Sequence, residues 1–213
     1  MTSAPIDPKL VFAWQAAHSI ARGSPPPGHD RGGIRVDTGS EKEVTRWVFP
    51  RMCDGLREIA HGITAPRHVM KLCGSDDELR GALPERWEIQ PINHFMIAAT
   101  KHRDAKPLPD GYRLHVDRAG AVARATIFGP GGDVAANGCA AETADAFIYD
   151  RIETAQEHRR KGLGVAVMDA LGAARRSPAT PQLLVATEEG RSLYSKLGWT
   201  VLGPIAAATI PER

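Results

Sequence analysis

The sequence contains little cysteine and no long apolar run, and both shortages exclude whole classes of protein. Its three cysteines, Cys53, Cys73 and Cys139, lie far apart and, being odd in number, cannot all pair within the chain. No C-x-x-C or His/Cys spacing typical of zinc sites is present, so we expect no metal. No apolar run reaches the roughly 20 residues that cross a bilayer, and the first residues do not resemble a signal peptide. The sequence therefore predicts a soluble, cytoplasmic protein without a membrane partner.

Charge of one sign is also scarce. The 27 Lys and Arg residues nearly balance the 25 Asp and Glu residues, for a net charge of +2, and they are interspersed along the chain. No overall field therefore attracts nucleic acid, and we expect none as a partner. The run of cations from Arg159 to Lys161 is too short for a polyanion-binding stripe. A nucleic-acid-binding protein that uses this run is an alternative, and it requires strongly salt-dependent binding.

A strand, a glycine turn and a helix are expected between residues 146 and 174, and this segment is the most informative part of the chain. Gly162 and Gly164 stand where the helix would begin, and only a residue without Cβ lets the backbone approach another group so closely. The first N–H groups of a helix have no partner within it, and its dipole favours negative charge there. Arg159, Arg160 and Lys161 precede the glycines. The segment therefore predicts a seat for an anion, commonly phosphate; the alternative is a solvated basic turn.

The spacing of these residues does not fit the two common nucleotide-binding motifs, because no third glycine completes G-x-G-x-x-G and no G-x-x-x-x-G-K-[ST] is present. The order Arg159-x-x-Gly162-x-Gly164 instead resembles the pyrophosphate loop of the GNAT superfamily of acyl-CoA-dependent N-acetyltransferases. Downstream, a short strand over 182–186 leads to Gly-Arg-Ser-Leu-Tyr-Ser-Lys-Leu-Gly-Trp over 190–199, which resembles the family segment A-x-x-L-Y-x-x-x-G-F. The resemblance covers about residues 111–205.

The resemblance implies an α/β (α+β) fold, a mixed, twisted and largely antiparallel sheet flanked by helices. We expect the acetyltransferase core over 106–213, after an N-terminal α/β extension over 1–105. One departure from the family is the passage from the strand at 112–116 to Val122 through a turn alone, where the family has two helices that shape the acceptor pocket. The extension is therefore expected either to supply the missing pocket walls or to form a degenerate, GNAT-like half.

The resemblance also implies acetyl-CoA as a co-substrate. Backbone N–H groups of the glycine turn would hold its pyrophosphate, and the cations beside them would add charge-assisted hydrogen bonds. The end of the preceding strand would pair with the amides of the pantetheine arm. Thr187 stands where the family usually has an asparagine that contacts this arm. The residues implied to bind the co-substrate are Ile152, Glu153, Thr154, Arg159, Arg160, Lys161, Gly162, Leu163, Gly164 and Thr187.

Tyr194 is the candidate acid for the chemistry that the resemblance implies. Attack of an amine on a thioester expels a thiolate, and a phenol within hydrogen-bond reach of the sulfur can protonate it. Tyr194 is in register with the Leu-Tyr pair of the family segment. The alternative is a core aromatic without a chemical role.

Asp150 is the candidate base. Residues two apart on a strand share one face, and this rule places Ile148, Asp150, Ile152 and Thr154 together near the strand end where the thioester is expected. A carboxylate in an otherwise apolar strand is unfavourable without a partner. The alternatives are an ion pair with Arg151 or another cation, and a relay of water molecules in place of a single base.

The function that the resemblance implies is transfer of an acetyl group from acetyl-CoA to a primary amine, by direct attack within a ternary complex. We expect a small-molecule acceptor, because no acidic groove for a basic peptide is evident. A protein or peptide N-acetyltransferase is the alternative within the same chemistry. A non-catalytic acyl-CoA-binding module is the alternative from another class, and a homodimer stays open.

The first hundred residues carry local signals of mixed structure. Asp7-Pro8 is a good start for a helix that ends near Gly23, and Ser75-x-x-Glu78 is a capping box that opens another. Prolines and glycines over 24–33 predict a loop. The other expected elements are helices over 41–48 and 51–60, and separate strands over 87–90 and 95–99.

Overall fold

The computed structural model describes residues 6–98 and 107–212. These residues form one sheet of eleven strands, mostly antiparallel and flanked by α-helices, which confirms the expected mixed architecture. None of the helices in the two described ranges is long and apolar enough to cross a membrane. The helices are α1 (Pro8–Arg22), α2 (Asp54–Gly62), α3 (Asp76–Arg80), α4 (Leu163–Ala173) and α5 (Glu188–Lys196). The strands are β1 (Gly28–Asp30), β2 (Gly33–Val36), β3 (Thr45–Phe49), β4 (His68–Leu72), β5 (Glu88–Ala98), β6 (Arg113–Ala119), β7 (Val122–Phe128), β8 (Val134–Glu142), β9 (Phe147–Thr154), β10 (Gln182–Thr187) and β11 (Trp199–Thr209).

Two parallel strand pairs organise the sheet. The strand order is β1-β2-β3-β4-β11-β5-β10-β9-β8-β7-β6, in which β3 runs parallel to β4 and β9 runs parallel to β10. A helix connects the two strands of each pair, α2 in the first pair and α4 in the second. Strand β5, the last before residue 106, pairs with β10 from the second half of the chain. Strand β11, the last after residue 106, pairs with β4 from the first half. The sheet therefore continues across the boundary expected near residue 106.

The two faces of the sheet carry different helices. On one face α1 packs through Trp14 in a core that contains Ile148 and Leu183. On the other face α4 packs through Leu163 in a core that contains Leu184. Leu183 and Leu184 are consecutive residues of β10 and so point to opposite sides of the sheet. We refer to the two sides as the α1 face and the α4 face.

The first helix has the ends that its sequence predicts. The side chain of Asp7 accepts a hydrogen bond from the backbone N–H of Lys9, and Gly23 ends α1 with a left-handed φ of 63°. Although α1 packs against the core, it also buries polar side chains, among them Gln15 and His18. These polar residues lie near the functional site described below.

Two expectations for the N-terminal region are wrong, because distant strands decide the structure there. The expected helix over 41–48 does not form; strand β3 is buried along all five residues, between β2 and β4. Its Thr, Trp, Val and Phe suit a strand with neighbours on both sides. The expected loop over 24–33 contains β1, which forms a hairpin with β2 through Arg31 and Gly32, both at positive φ.

The strands expected over 87–90 and 95–99 form one strand, β5, in the middle of the sheet. Pro91 lies inside it, where a missing N–H would break a regular ladder. The ladder with β11 shifts register at this level, between the pairs Asn93–Ile205 and Gln90–Ala207. The proline is therefore accommodated in a bulge, and residue 99 lies outside the described residues.

Candidate active site

A cleft of about 770 Å³ opens where β9 and β10 separate. The two strands pair through Phe147 with Gln182 and Ile148 with Leu183, and no further pair joins them in the part of the chain that the structure describes. Strand β9 nevertheless continues to Thr154. Since backbone N–H and C=O groups need partners, the facing edges of the two strands are open to a ligand. The gap also connects the α4 face of the sheet with the α1 face.

A β-bulge changes the direction of β9 at Arg151. The ladder with β8 shifts register here, so that Arg151 and Ile152 oppose a single residue, Gly138. Arg151 has a φ of 53°, a left-handed conformation that is uncommon for residues other than glycine. A Cβ on Gly138 would lie 2.4 Å from Ile152 Cδ1, so that the bulge needs glycine on the facing strand.

The bulge reverses the alternation of side chains, so the expectation that Ile148, Asp150, Ile152 and Thr154 share one face is wrong. Ile148 packs in the core on the α1 face, and Asp150 pairs with a residue of α1. Ile152 packs against the core on the α4 face, and Thr154 Oγ1 lies beside Gly164 of α4. Strand β9 therefore presents a carboxylate to the α1 face and its last residues to the α4 face.

The turn between β9 and α4 presents unused backbone N–H groups at the start of a helix. Gly162 precedes α4 with a φ of 78°, and among the described residues no side chain caps the helix. Arg160 also has a positive φ, of 62°. Arg159 and Arg160 line the cleft together with Gly162 and Gly164. Free N–H groups, the helix dipole and two guanidinium groups together make this end of the cleft attractive to an anion.

Lys161 does not line the cleft, because a chain of hydrogen bonds draws it elsewhere. Its ammonium donates to the Tyr112 hydroxyl over 2.8 Å and lies 5.4 Å from the centre of that ring. The Tyr112 hydroxyl lies 2.8 Å from His158 Nδ1, and His158 Nε2 lies 2.7 Å from Asp133 Oδ2. The hydrogen bond from His158 holds the pKa of the Asp133 carboxyl below its ordinary value. The chain ties the turn between β7 and β8 to the glycine loop and so restrains the loop.

Tyr194 lies on α5, with its ring packed against the core of the α4 face and one side toward the cleft. The centres of the Tyr194 and Trp199 rings are 6.1 Å apart. The hydroxyl makes no hydrogen bond with another residue that the structure describes. Burial raises the pKa of the phenol. Tyr194 is therefore protonated at neutral pH and has a proton to donate.

Thr187 caps helix α5 at the edge of the cleft. Its Oγ1 accepts a hydrogen bond from the backbone N–H of Gly190 over 3.2 Å. A hydroxyl that accepts can still donate, so its proton is available to a ligand. The next residue, Glu188, lies 2.6 Å from Nε2 of His94 on β5 and also pairs with Arg191. These contacts fix the start of α5 against the sheet.

Asp150 forms the ion pair that was the alternative to a catalytic role. Nε and Nη2 of Arg22 donate to its two carboxylate oxygens over 2.8 and 2.9 Å. Arg151 Nε lies 3.8 Å from the same carboxylate, and His18 Nε2 lies 4.0 Å from it. The Asp150 side chain is 11% exposed. Both oxygens of the Asp150 carboxylate therefore already accept a hydrogen bond from Arg22.

The cleft brings together the sequence-predicted site residues apart from Lys161. They come from β9, the glycine loop, the start of α4, the end of β10 and α5, and they are Asp150, Ile152, Glu153, Thr154, Arg159, Arg160, Gly162, Leu163, Gly164, Thr187 and Tyr194. Sequence reasoning missed Arg22 and the bulge at Arg151. A glycine in a strand, Gly138, was the available signal for the bulge. No local signal points to Arg22, which lies 128 positions before its partner.

Solved structures share this architecture. A GCN5-related N-acetyltransferase from Kribbella flavida aligns over 96% of each chain, with a TM-score of 0.67 and 13% sequence identity. A GCN5-related N-acetyltransferase-like protein from Streptococcus suis aligns over 93% of this chain and 92% of its own, with a TM-score of 0.62 and 12% identity. The chain has the GNAT fold.

A third solved structure aligns over a smaller share of both chains. A tandem GNAT protein from the clavulanic acid biosynthesis pathway aligns over 74% of this chain and 68% of its own, with a TM-score of 0.53 and 12% identity. No protein-family model and no curated protein matches the sequence. Within the GNAT fold of this chain, the two segments that resemble family motifs, 159–164 and 190–199, meet at one cleft.

Proposed function

We propose that the protein is an N-acetyltransferase that moves an acetyl group from acetyl-CoA to a primary amine of a small molecule. The observation that carries the proposal is the meeting of the two motif segments at the gap between β9 and β10. One segment supplies a basic turn at a helix start, and the other supplies a protonated phenol. The GNAT fold, which the chain shares with GCN5-related N-acetyltransferases, supports this chemistry.

The cleft suits acetyl-CoA in charge and in hydrogen-bonding groups. Arg159, Arg160 and the start of α4 would hold the pyrophosphate. The open backbone groups over 152–154 would pair with the pantetheine amides, as an added strand pairs with a sheet edge. The hydroxyl of Thr187 would donate to the same arm. The co-substrate brings the reactive thioester, so the chain needs only to orient the reactants and move protons.

Tyr194 is the proposed acid. In the overall reaction a C–N bond forms and the C–S bond breaks, while the amine loses a proton and the sulfur gains one. Tyr194 donates its hydroxyl proton to the sulfur and recovers a proton from solvent. Asp150 is the proposed base on the opposite, α1 face of the gap. It receives one proton of the ammonium before the attack and then releases it to solvent, and the nitrogen loses its second proton to solvent after the C–N bond has formed.

We further propose that the first 105 residues form a degenerate GNAT-like half without an acyl-CoA site. Strands β3 and β4 pair along all five residues, so no gap opens between them. The start of α2 is covered by the hairpin of β1 and β2, because the carbonyl oxygen of Arg31 lies 1.9 Å from where a Cβ of Gly55 would stand. Asp54 adds a negative charge at this helix start. We therefore expect one acetyl-CoA per chain.

Calorimetry tests the binding part of the proposal. We expect wild type to bind one acetyl-CoA and Gly162→Glu to lose most of that affinity, since the new carboxylate occupies the anion site. Gly120→Glu is the matched control, because Gly120 also has a positive φ, of 59°, and open space around it, yet lies in the distant turn between β6 and β7. The proposal fails if folded wild type gives no heat, or if Gly162→Glu binds like wild type.

Thiol release with a panel of amines tests the chemistry. We expect Tyr194→Phe to lower kcat by about 10²-fold, the usual contribution of a general acid, with an unchanged Kd for acetyl-CoA. Tyr149→Phe is the control, because its hydroxyl donates to Gln182 over 2.6 Å at the paired end of the strands. Normal turnover by Tyr194→Phe would remove this residue from the mechanism. Binding without amine-stimulated thiol release would favour the non-catalytic module.

A further inference from the structure

A group of ionisable side chains that includes Asp150 lies beneath α1, and the chemistry proposed above does not use most of its members. We call it the charged cluster; its members are His18, Arg22, Glu43, Arg46, Lys71 and Asp150. Nη1 of Arg46 lies 3.2 Å from Nδ1 of His18, and Nη2 of Arg46 donates to Glu43 over 2.8 Å. His18 in turn lies 4.0 Å from Asp150. The cluster therefore reaches from β3 to the edge of the cleft on β9.

Lys71 brings a charge to this cluster from β4. It pairs with Val48 of β3 and Ala207 of β11, and residues paired across a sheet share a face. Val48 packs in the core on the α1 face, so Lys71 points to that face as well. Burial, and then the charge of Arg46, lower the pKa of the Lys71 ammonium to about 8. The group is therefore still mostly charged at pH 7.

The charges of the cluster do not balance. Arg22 pairs with Asp150, and Arg46 pairs with Glu43, so both carboxylates are already matched. Lys71 makes no hydrogen bond and no ion pair with another residue in the described ranges. His18 cannot balance the extra cation, because an imidazole is either neutral or positive. Burial, and then the charge of Arg46, lower its pKa well below the ordinary value. One cation is left over, in a setting where an unmatched charge is unfavourable.

Unpaired polar atoms lie in the same cluster. Nε of Arg46 is buried without a hydrogen-bond partner among the described residues, and the Arg46 side chain is 9% exposed. Two buried acceptors also lack partners among the described residues: Oε1 of Glu43, and Oε1 of Gln15, whose Nε2 lies 3.5 Å from Nδ1 of His18. Buried polar atoms are nearly always satisfied in the functional state of a protein. The cluster thus offers donors to an anion and acceptors to a group that carries N–H or O–H bonds.

We propose that the charged cluster is the acceptor subsite and that Lys71 binds a carboxylate of the amine substrate, which makes the acceptor an amino acid or a similar amino carboxylate. This inference rests on the proposed acetyl transfer. The amine lies toward Asp150 and the gap in the sheet, and the carboxylate lies toward Lys71 and Arg46. The carboxylate supplies the negative charge that the cluster lacks. A polycationic amine adds charge of the sign already in excess and is a poor acceptor.

Matched acceptors test the subsite. Glycine, β-alanine, aspartate and glutamate are each compared with the corresponding carboxamide, with thiol release as the readout. We expect wild type to prefer at least one carboxylate by tenfold or more in kcat/KM. We expect Lys71→Met to remove that preference through a higher KM and to leave the carboxamides unaffected. Lys71→Arg keeps the charge and should retain part of the preference. Lys42→Met, at an exposed lysine, is the control and should behave like wild type.

A binding readout keeps this test separate from the test of acetyl transfer. The preferred amino carboxylate should raise the melting temperature of wild type without acetyl-CoA, and it should not raise that of Lys71→Met. If wild type binds acetyl-CoA and acetylates carboxamides as well as carboxylates, the subsite is wrong and the proposed function stands. If acetyl-CoA does not bind, the proposed function fails. The subsite is also overturned if Lys71→Met loses activity equally toward both members of each pair.

Discussion

Arg22, at the end of α1, donates two hydrogen bonds to Asp150 on β9, across 128 positions of the chain. The pair joins a helix from the first half of the sequence to the strand that lines the cleft. It also sets the direction of the Asp150 carboxylate at the gap. The pair therefore ties the two halves of the chain together and holds the proposed base in position.

Removing one partner of this pair should destabilise the protein more than removing both. Arg22→Met leaves a nearly buried carboxylate with only the longer contacts to Arg151 and His18. We expect the free energy of unfolding to fall by about 1–3 kcal/mol, less than for a fully buried pair because Arg22 is partly exposed. Asp150→Asn together with Arg22→Met should recover part of that loss. Urea unfolding of the four proteins of this double-mutant cycle measures the coupling. Strictly additive effects would show that the pair does not stabilise the fold.

The buried His18 should make the protein less stable in mild acid. Its folded pKa is lowered by burial and then by Arg46, so the unfolded chain takes up a proton as pH falls through about 6.5 while the folded protein does not. The free energy of unfolding therefore falls as pH falls, by about 1–2 kcal/mol between pH 7 and pH 5. His18→Gln should flatten this slope in urea titrations.

His68 is the matched comparison for the pH experiment, since burial also lowers its pKa, but the charged groups that act on it are Arg35 and Asp37, which are not members of the cluster. His68→Gln should remove a smaller share of the slope. A slope that is unchanged in His18→Gln would contradict the assignment.

The buried charge of Lys71 should lower the free energy of unfolding. Its pKa is about 8 in the folded protein against 10.5 in the unfolded chain, so the unfolded chain binds more protons between these values and stability rises with pH across this window. Below pH 8 Lys71 is charged in both the folded and the unfolded state, and the buried charge then destabilises the folded protein to its full extent. Lys71→Met should therefore raise the free energy of unfolding at pH 7 by about 1–3 kcal/mol and remove the alkaline rise. Lys42→Met, at an exposed site, should change stability by less than about 0.5 kcal/mol.

The bulge on β9 should depend on the glycine opposite it. A Cβ at position 138 would lie 2.4 Å from Ile152 Cδ1 and 2.8 Å from Val167 Cγ1. Gly138→Ala should therefore lower the free energy of unfolding by about 1–3 kcal/mol through overpacking and weaken acetyl-CoA binding. Ile152→Val removes one of the clashing atoms and should restore part of the loss. Gly28→Ala, with open space and an ordinary φ, is the control.

The parts of the fold that the sequence predicts are those set by local rules. The Asp7 cap, the Ser75–Glu78 capping box and the glycine loop before α4 all depend on residues within a few positions of one another. The two segments that line the cleft were predicted in the same way, because each is a short motif that residues close together in the sequence define. That the two segments meet at one cleft is not visible in either segment alone; the family resemblance predicted it.

The features that the sequence did not predict depend on distant partners. Strand β3 was expected to be a helix because its local pattern is ambiguous, and its parallel partner β4 decides the outcome. Strand β5 tolerates Pro91 because β11, more than a hundred residues later, shifts register beside it. The faces of β9 were assigned from strict alternation, and one extra residue at Arg151 invalidated that rule for everything after it.

The position of β11 between β4 and β5 has a consequence for synthesis on the ribosome. Strand β11 lies between β4 and β5 in the sheet, so the facing edges of β4 and β5 stay unpaired during synthesis until residues 199–209 have emerged. Bare edges recruit other chains, and contacts between sequence-distant strands form slowly. A polypeptide that is truncated before Trp199 therefore lacks β11 and leaves one edge of β4 and one edge of β5 unpaired.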